Sequence, residues 1–198
     1  MADMNTDRKG LIICISGPSG AGKGTVVAGV RALIPDMATS VSVTTRPPRG
    51  TEQEGVDYYY RTKEQFQDMI ARGEILEHDV YCDNYYGTPS THLRKMSEQG
   101  TDTLLDLTVL GSINLKKIFG DTALIIFLMP PSMEVLESRL RNRGTDSEEK
   151  IAQRLETAAE EIGRKDEFDY VVVNDDLDTA IAEVMALIDR KRSEQGLN

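Results

Sequence analysis

The chain has 198 residues and a net charge of −10, with 39% hydrophobic and 28% charged residues. That length suits one compact domain carrying insertions, and the composition is that of a soluble globular protein. The acidic balance argues against a nucleic-acid or anionic-membrane surface, which needs a broad basic face, and no apolar run approaches the roughly 20 residues that span a bilayer.

Met1–Gly10 is polar, unlike a secretory signal. Leu11–Ile15 is a short apolar run that predicts a buried strand, ending before Gly17. A Gly-rich turn follows, then a helical pattern through Val26, Val27, Val30 and Leu33, stopped near Pro35. Val41–Thr88 breaks this rhythm: it is rich in Tyr, Arg, Pro and Gly, and opens with the β-prone run Val41–Thr45. It predicts a small inserted subdomain of short strands and one helix, the helix over Lys63–Arg72. Further helices are predicted over Thr91–Gln99, Ser132–Leu140, Ser147–Ile162 and Leu177–Arg190, and strands over Thr103–Leu107, Ala123–Met129 and Tyr170–Val173. Thr145 and Glu148 have capping-box spacing. Arg139–Arg154 gathers four arginines around Gly144 and predicts a mobile flap. Strand–helix alternation of this kind implies an α/β fold: a three-layer core with a mostly parallel sheet. Cys14 and Cys82 show neither metal-ligand nor disulfide spacing, and with Cys14 in an apolar run the expected compartment is a reducing cytoplasm.

Gly17-Pro18-Ser19-Gly20-Ala21-Gly22-Lys23-Gly24-Thr25 sits between a predicted strand and a predicted helix, the context of a phosphate-binding loop. Glycines let successive N–H groups point inward, and the helix N-terminus adds partial positive charge. Lys23 supplies a full charge for the β- and γ-phosphates of a nucleotide. The position after the lysine, usually Ser or Thr, is Gly24, with Thr25 one place later. A second basic cluster lies in the inserted segment. Arg46-Pro47-Pro48-Arg49 is a stiffened stretch whose two arginines can converge on one phosphate. Tyr58 and Tyr86 can add hydroxyl donors. Taken alone, Arg46–Arg49 also reads as a solvated turn.

The phosphate loop, Thr44-Thr45-Arg46-Pro47-Pro48-Arg49, Gly55-Val56-Asp57-Tyr58, Gly73–Glu77, Asn84-Tyr85-Tyr86-Gly87-Thr88, the Arg-rich flap and Val172-Val173-Asn174-Asp175-Asp176 occur in this order. From about residue 10 to residue 190 the chain resembles the guanylate kinase family of P-loop nucleoside monophosphate kinases. The resemblance implies phosphoryl transfer from ATP to GMP, and to dGMP, with Mg²⁺ bridging the ATP phosphates. It divides the chain into core (1–40), GMP-binding subdomain (41–88), core (89–138), lid (139–156) and core (157–198). Arg46, Arg49, Tyr58 and Tyr86 then match the residues holding the GMP phosphate. Glu77 matches the carboxylate accepting from guanine N1–H and the 2-amino group, and Ser42 and Thr88 match hydroxyl positions near the base. Adenine would leave Glu77 without donors, a mismatch that polar sites reject strongly. Lys23, Arg139, Arg143 and Arg154 would surround the transferring phosphoryl, whose oxygens need positioning and neutralisation rather than a general base. Arg141 is expected on a solvated helix face. Asn174 matches a position near adenine and also reads as part of a helix cap.

Two departures from the family pattern stand after the third predicted strand. Asp106 is kept, and is expected to orient Mg²⁺ through water, but the second acidic position is Thr108 and the usual glutamine is Leu110. Thr108 predicts weaker GMP binding than aspartate, by about 1 kcal/mol. Two other readings remain: a related kinase with a different phosphorylated acceptor, and a non-catalytic protein-binding module. The intact Lys23 and its glycine frame speak against the module. Neither nucleic acid nor membrane is an expected partner.

Overall fold

A computed structural model describes residues 9–81, 83–142 and 146–196. Its centre is β1 (Ile12–Ser16), where every residue is buried. A strand that is apolar on both sides must be covered on both sides, and the alternation of β1 shows how. Ile13 and Ile15 join one core cluster with Val26, Val30, Val184 and Ile188, whereas Ile12 and Cys14 join another with Leu93, Ile113 and Leu115. The first cluster packs α1 (Lys23–Leu33) and α7 (Leu177–Glu194) on one face of the sheet, and the second packs α3 (Ser90–Glu98) and α4 (Val109–Phe119) on the other. The sheet is five-stranded and parallel throughout, in the order β2 (Ala38–Thr39), β7 (Thr103–Asp106), β1, β8 (Ala123–Met129), β9 (Tyr170–Val173). This is the three-layer α/β core expected.

A second sheet, of four strands, holds β4 (Tyr59–Tyr60), β3 (Val43–Thr44), β6 (Asn84–Pro89) and β5 (Ile75–Tyr81), in that order. Its helix α2 (Lys63–Ala71) starts at a full capping box, Thr62 with Gln65, and buries Phe66 against the sheet. The Phe66 ring stacks on Tyr85 at 5.3 Å, and Gly87 leaves the space it needs: a Cβ there would lie 2.8 Å from the ring edge. Helices α5 (Met133–Asn142) and α6 (Glu148–Gly163) form a third small cluster through Leu136, Leu140, Ile151 and Ala158.

Several boundaries differ from expectation for identifiable reasons. Helix α4 has no clean apolar stripe to announce it, because Val109, Gly111, Ser112, Ile113 and Leu115 are all buried and its apolar residues run round the helix. Strand β2 is two residues long and exists only by pairing with β7. The cap of α6 is Ser147, whose hydroxyl accepts from Lys150 N–H at 3.4 Å, so the helix begins two residues after the Thr145 capping-box reading would start it. Thr145 itself, with Arg143, Gly144 and Cys82, lies outside the described residues. Among the described residues no helix is long and apolar enough to cross a membrane.

Candidate active site

The chain leaves β1 at Ser16 and makes its loop through three glycines with positive φ: Gly17 (135°), Gly20 (99°) and Gly22 (97°). At Gly17 a Cβ would also lie 2.1 Å from the Leu128 carbonyl oxygen, so both backbone and space require glycine. Gly22 caps α1 without a side chain, and Lys23 is the first helical residue. The Lys23 ammonium folds back and donates to the Gly17 and Pro18 carbonyls at 2.6 and 3.3 Å, so its charge is held over the loop. The loop is gripped from behind. Asn174 Nδ2 donates to the Ala21 carbonyl at 2.7 Å, Arg139 Nη1 donates to the same oxygen at 3.4 Å, and Arg139 Nη2 donates to the Asn174 carbonyl at 3.0 Å. Arg154, from α6, donates to Ser19 Oγ at 2.9 Å and pairs with Asp146. Arg141 pairs with Glu137 and Glu148 on the helix surface, as a solvated helix face would.

Across the cleft stands the basic turn. Arg46 is buried, and it is buried with a partner: Nη2 donates to Glu52 Oε1 at 2.9 Å and Nη1 to the Pro47 carbonyl at 2.7 Å. Burial works against the Arg46 charge, but the bonds to Glu52 and the nearby Tyr86 outweigh it and leave its pKa above the ordinary value. Glu52 Oε2 accepts from the Arg49 backbone N–H at 2.8 Å and from the Tyr60 hydroxyl at 2.9 Å. One carboxylate therefore fixes both ends of the Arg46–Arg49 turn while the Arg49 side chain stays exposed. The Arg46 guanidinium lies over the Tyr58 ring at 5.3 Å, and Tyr58 meets Tyr86 edge-on at 6.0 Å. Tyr58 is held well above its ordinary pKa by burial, so its hydroxyl stays a donor.

Behind this clamp a bulge shifts the β5–β6 register between Ile75 and Glu77, the kind of irregularity that re-aims a side chain. Glu77 is 8% exposed, and its Oε1 accepts from Thr88 Oγ1 at 2.6 Å. Burial pushes its carboxyl up to about 7, with the Thr88 bond opposing. Thr108 is the N-cap of α4: its hydroxyl accepts from Gly111 N–H at 3.1 Å. The hydroxyl that stands where an acidic residue was expected is thus already committed to the helix.

These walls enclose one cleft of about 420 Å³. From the sequence-predicted set it is lined by Gly17, Ser19, Gly20, Gly22, Lys23, Gly24 and Thr25 of the loop, by Ser42, Arg46, Arg49, Tyr58, Glu77 and Tyr86 of the second sheet and its loops, and by Asp106 and Arg154. Thr88 sits one layer behind, on Glu77. Pro18, Ala21, Arg139 and Asn174 form or support the loop without lining the cleft, and Arg143 lies outside the described residues. Asp106 ends β7 in register with Ile15. It opens to the cleft but is walled by protein elsewhere, which raises its carboxyl above the usual range while Lys23 opposes. No group of three His, Cys, Asp or Glu with metal-site geometry occurs among the described residues. One carboxylate and one hydroxyl (Asp106 and Thr25) beside a phosphate loop instead suit an ion that keeps its waters and is carried chiefly by phosphates, which is how Mg²⁺ behaves.

Sequence reasoning missed the orienting role of Glu52, although its place three residues after Arg49 was visible. It also missed Glu161, on the α6 face toward the cleft. One Glu161 oxygen is buried with no hydrogen-bond partner among the described residues, and burial pushes the carboxyl to about 7. Its signal, a glutamate two turns after Arg154, does not stand out in an acidic helix.

The sequence model of the guanylate kinase family matches residues 9–191. The chain is 48% identical over 180 residues to a guanylate kinase of Synechococcus sp. (strain JA-3-3Ab), covering 91% of this chain and 82% of the relative. It is 47% identical over 188 residues to one of Synechocystis sp., covering 95% and 98%. The crystal structure of guanylate kinase from Anaplasma phagocytophilum superposes with a TM-score of 0.76 at 33% identity, over 93% of this chain and 87% of that one. By this family-model match and these relatives, the chain belongs to the guanylate kinase family.

Proposed function

We propose that the cleft transfers the γ-phosphoryl group of ATP to the phosphate of GMP, giving ADP and GDP, with the residues in the following roles. The observation that carries the reading is that two anion-binding walls line a single cleft, and only one of them is a phosphate loop. The backbone of Gly17–Thr25 and the Lys23 ammonium hold the β- and γ-phosphates. Arg46, Arg49, Tyr58 and Tyr86 hold the acceptor phosphate, and Glu77 and Ser42 meet the guanine edge, with Thr88 steadying Glu77. An oxygen of the GMP phosphate attacks the γ-phosphorus, the bond from that phosphorus to the β-phosphate oxygen breaks, and ADP leaves. The attacking oxygen is already ionised, so no proton has to be removed. The work left for the protein is alignment and neutralisation of spread negative charge.

Arg154 reaches the loop through Ser19 and is placed to add charge beside the γ-phosphate; Arg139 and Arg143 complete the set on the lid, residues 139–156. Asn174, whose amide donates to the Ala21 carbonyl, is assigned to the adenosine end of ATP. Bound Mg²⁺, held by the phosphates with Asp106 and Thr25 nearby, would supply further neutralisation. Transfer of the label of γ-³²P-ATP to GMP, read as labelled GDP, tests the reading. Labelled inorganic phosphate alone, or labelling only of another acceptor, would contradict it. The cytoplasmic location and the use of dGMP belong to the same proposal.

A further inference from the structure

Gly111 occupies the third position of α4, after the cap Thr108. Nothing in its backbone calls for glycine: it is helical and is absent from the positions with positive φ. Glycine is the poorest helix former after proline, so a glycine in a first helical turn needs another reason. The reason is a side chain from the other sheet. A Cβ on Gly111 would lie 2.6 Å from Glu77 Oε2 and 3.3 Å from Glu77 Cδ, and also 3.1 Å from Thr108 Oγ1. The other Glu77 oxygen is held by Thr88 at 2.6 Å. The carboxylate is therefore gripped on one oxygen by a hydroxyl and seated with the other in a notch that exists because one hydrogen stands where a methyl would.

The notch also has a favourable field. The first turn of α4 carries no acidic residue of its own, and helix N-termini favour negative charge. The Gly111 N–H is taken by Thr108 Oγ1, so Glu77 is not there as a cap. What Gly111 gives it is room. Gly87 offers a contrast, since a Cβ there would strike the Ile75 and Phe66 side chains, a packing requirement with no charged group involved.

We propose that Gly111 is a positioning residue for guanine recognition, setting where the Glu77 carboxylate stands. This rests on Glu77 reading the base. The atom that a Gly111 methyl meets is the far end of a flexible side chain, so Gly111→Ala should fold, and α4 should gain helix propensity. The carboxylate, however, must swing out of the notch or release Thr88. Guanine contacts would be lost while the arginine clamp and the phosphate loop stay intact.

The test is a double-mutant cycle read in steady-state kinetics with GMP and ATP as varied substrates. Gly111→Ala is expected to raise KM for GMP about tenfold to a hundredfold, the scale of a charged hydrogen bond lost or misaligned, with KM for ATP and the thermal midpoint unchanged or improved. Glu77→Ala empties the notch, so adding Gly111→Ala to it should cost nothing further in KM for GMP. Should Gly111→Ala fail to fold, the double variant must fold, because the clash is with Glu77. An unchanged KM for GMP in Gly111→Ala overturns the proposal, as does an additive cycle or a double variant that also fails to fold. If Glu77→Ala itself leaves KM for GMP unchanged, the base-reading role fails, which a Gly111 failure alone would not show.

Discussion

The two walls of the cleft present their polar groups by opposite means. The loop wall is almost all backbone: three glycines with positive φ, one helix N-terminus and a lysine that folds onto its own loop carbonyls. The facing wall is almost all side chain, and Arg46, Tyr58 and Glu77 each have a supporter. Glu52 holds Arg46 and the Arg49 backbone, Tyr86 meets Tyr58, Thr88 holds Glu77, and Gly111 leaves Glu77 its space. In the proposed function the backbone wall holds the phosphates of ATP, a task that asks nothing of the base. On the same proposal the side-chain wall carries the discrimination, and it leans on Glu52, Thr88 and Gly111, which orient the groups assigned to the substrate.

That contrast can be broken or sharpened by substitution. Lys23→Met should lower kcat about a thousandfold, as loss of a preorganised charge at the transferring group does, with KM for GMP little changed. A comparable rise in KM for GMP would mean that the walls are not separable. Glu77→Gln should lower kcat/KM for GMP about a hundredfold while raising stability at pH 8. The sign follows from linkage. The folded pKa of Glu77, about 7, lies above its ordinary 4.5, so the native state binds more protons between those values and loses stability as pH rises through them. The ionised, buried carboxylate costs up to about 3 kcal/mol above pH 7, and nothing below pH 4.5. Thermal melts of wild type and Glu77→Gln should therefore diverge as pH rises from 4.5 to 8, and parallel curves would contradict the burial argument.

The same carboxylate gives a pH dependence of binding. Guanine needs the ionised form, so kcat/KM for GMP should fall as pH drops below about 7, and the step should vanish in Glu77→Gln. Glu52→Gln should raise KM for GMP about tenfold by loosening Arg46, without moving KM for ATP. The smallest effect is expected at Thr108. Thr108→Asp should lower KM for GMP about fivefold, corresponding to about 1 kcal/mol, and it should fold normally because aspartate also caps helices well. An unchanged or raised KM would show that Thr108 serves the helix alone.

How far the site could be read in advance follows the same division. The phosphate loop is contiguous, and its strand, turn, lysine and helix are all legible from nine residues, as are β8 and β9 from their apolar runs. The acceptor wall was legible only as an ordered set of motifs, because Arg46, Glu77 and Tyr86 have no meaning singly. Its supporters were hidden for physical reasons. Glu52 is one glutamate in an acidic chain, and its role appears only when the turn brings both oxygens to Arg46 and Arg49. The apolar residues of helix α4 run round it rather than along one stripe, which left Thr108 looking like a substrate-site residue and concealed its cap. Gly111 could not be understood before α4 and β5 were brought together, since a glycine kept for a neighbour's sake leaves no local signature. Arg139 and Asn174 were visible as polar residues at element ends, but their meeting at the Ala21 carbonyl is tertiary.

The measurement that tests the central claim most directly is acceptor discrimination in a coupled assay with ATP and Mg²⁺, comparing GMP and AMP in the wild type and in Glu77→Gln. If the side-chain wall reads guanine, wild-type kcat/KM should favour GMP over AMP by at least about a thousandfold, the scale on which unpaired buried polar groups reject an analogue. That preference should shrink sharply in Glu77→Gln. Equal turnover of AMP and GMP by the wild type, or a preference that survives Glu77→Gln intact, would contradict the account.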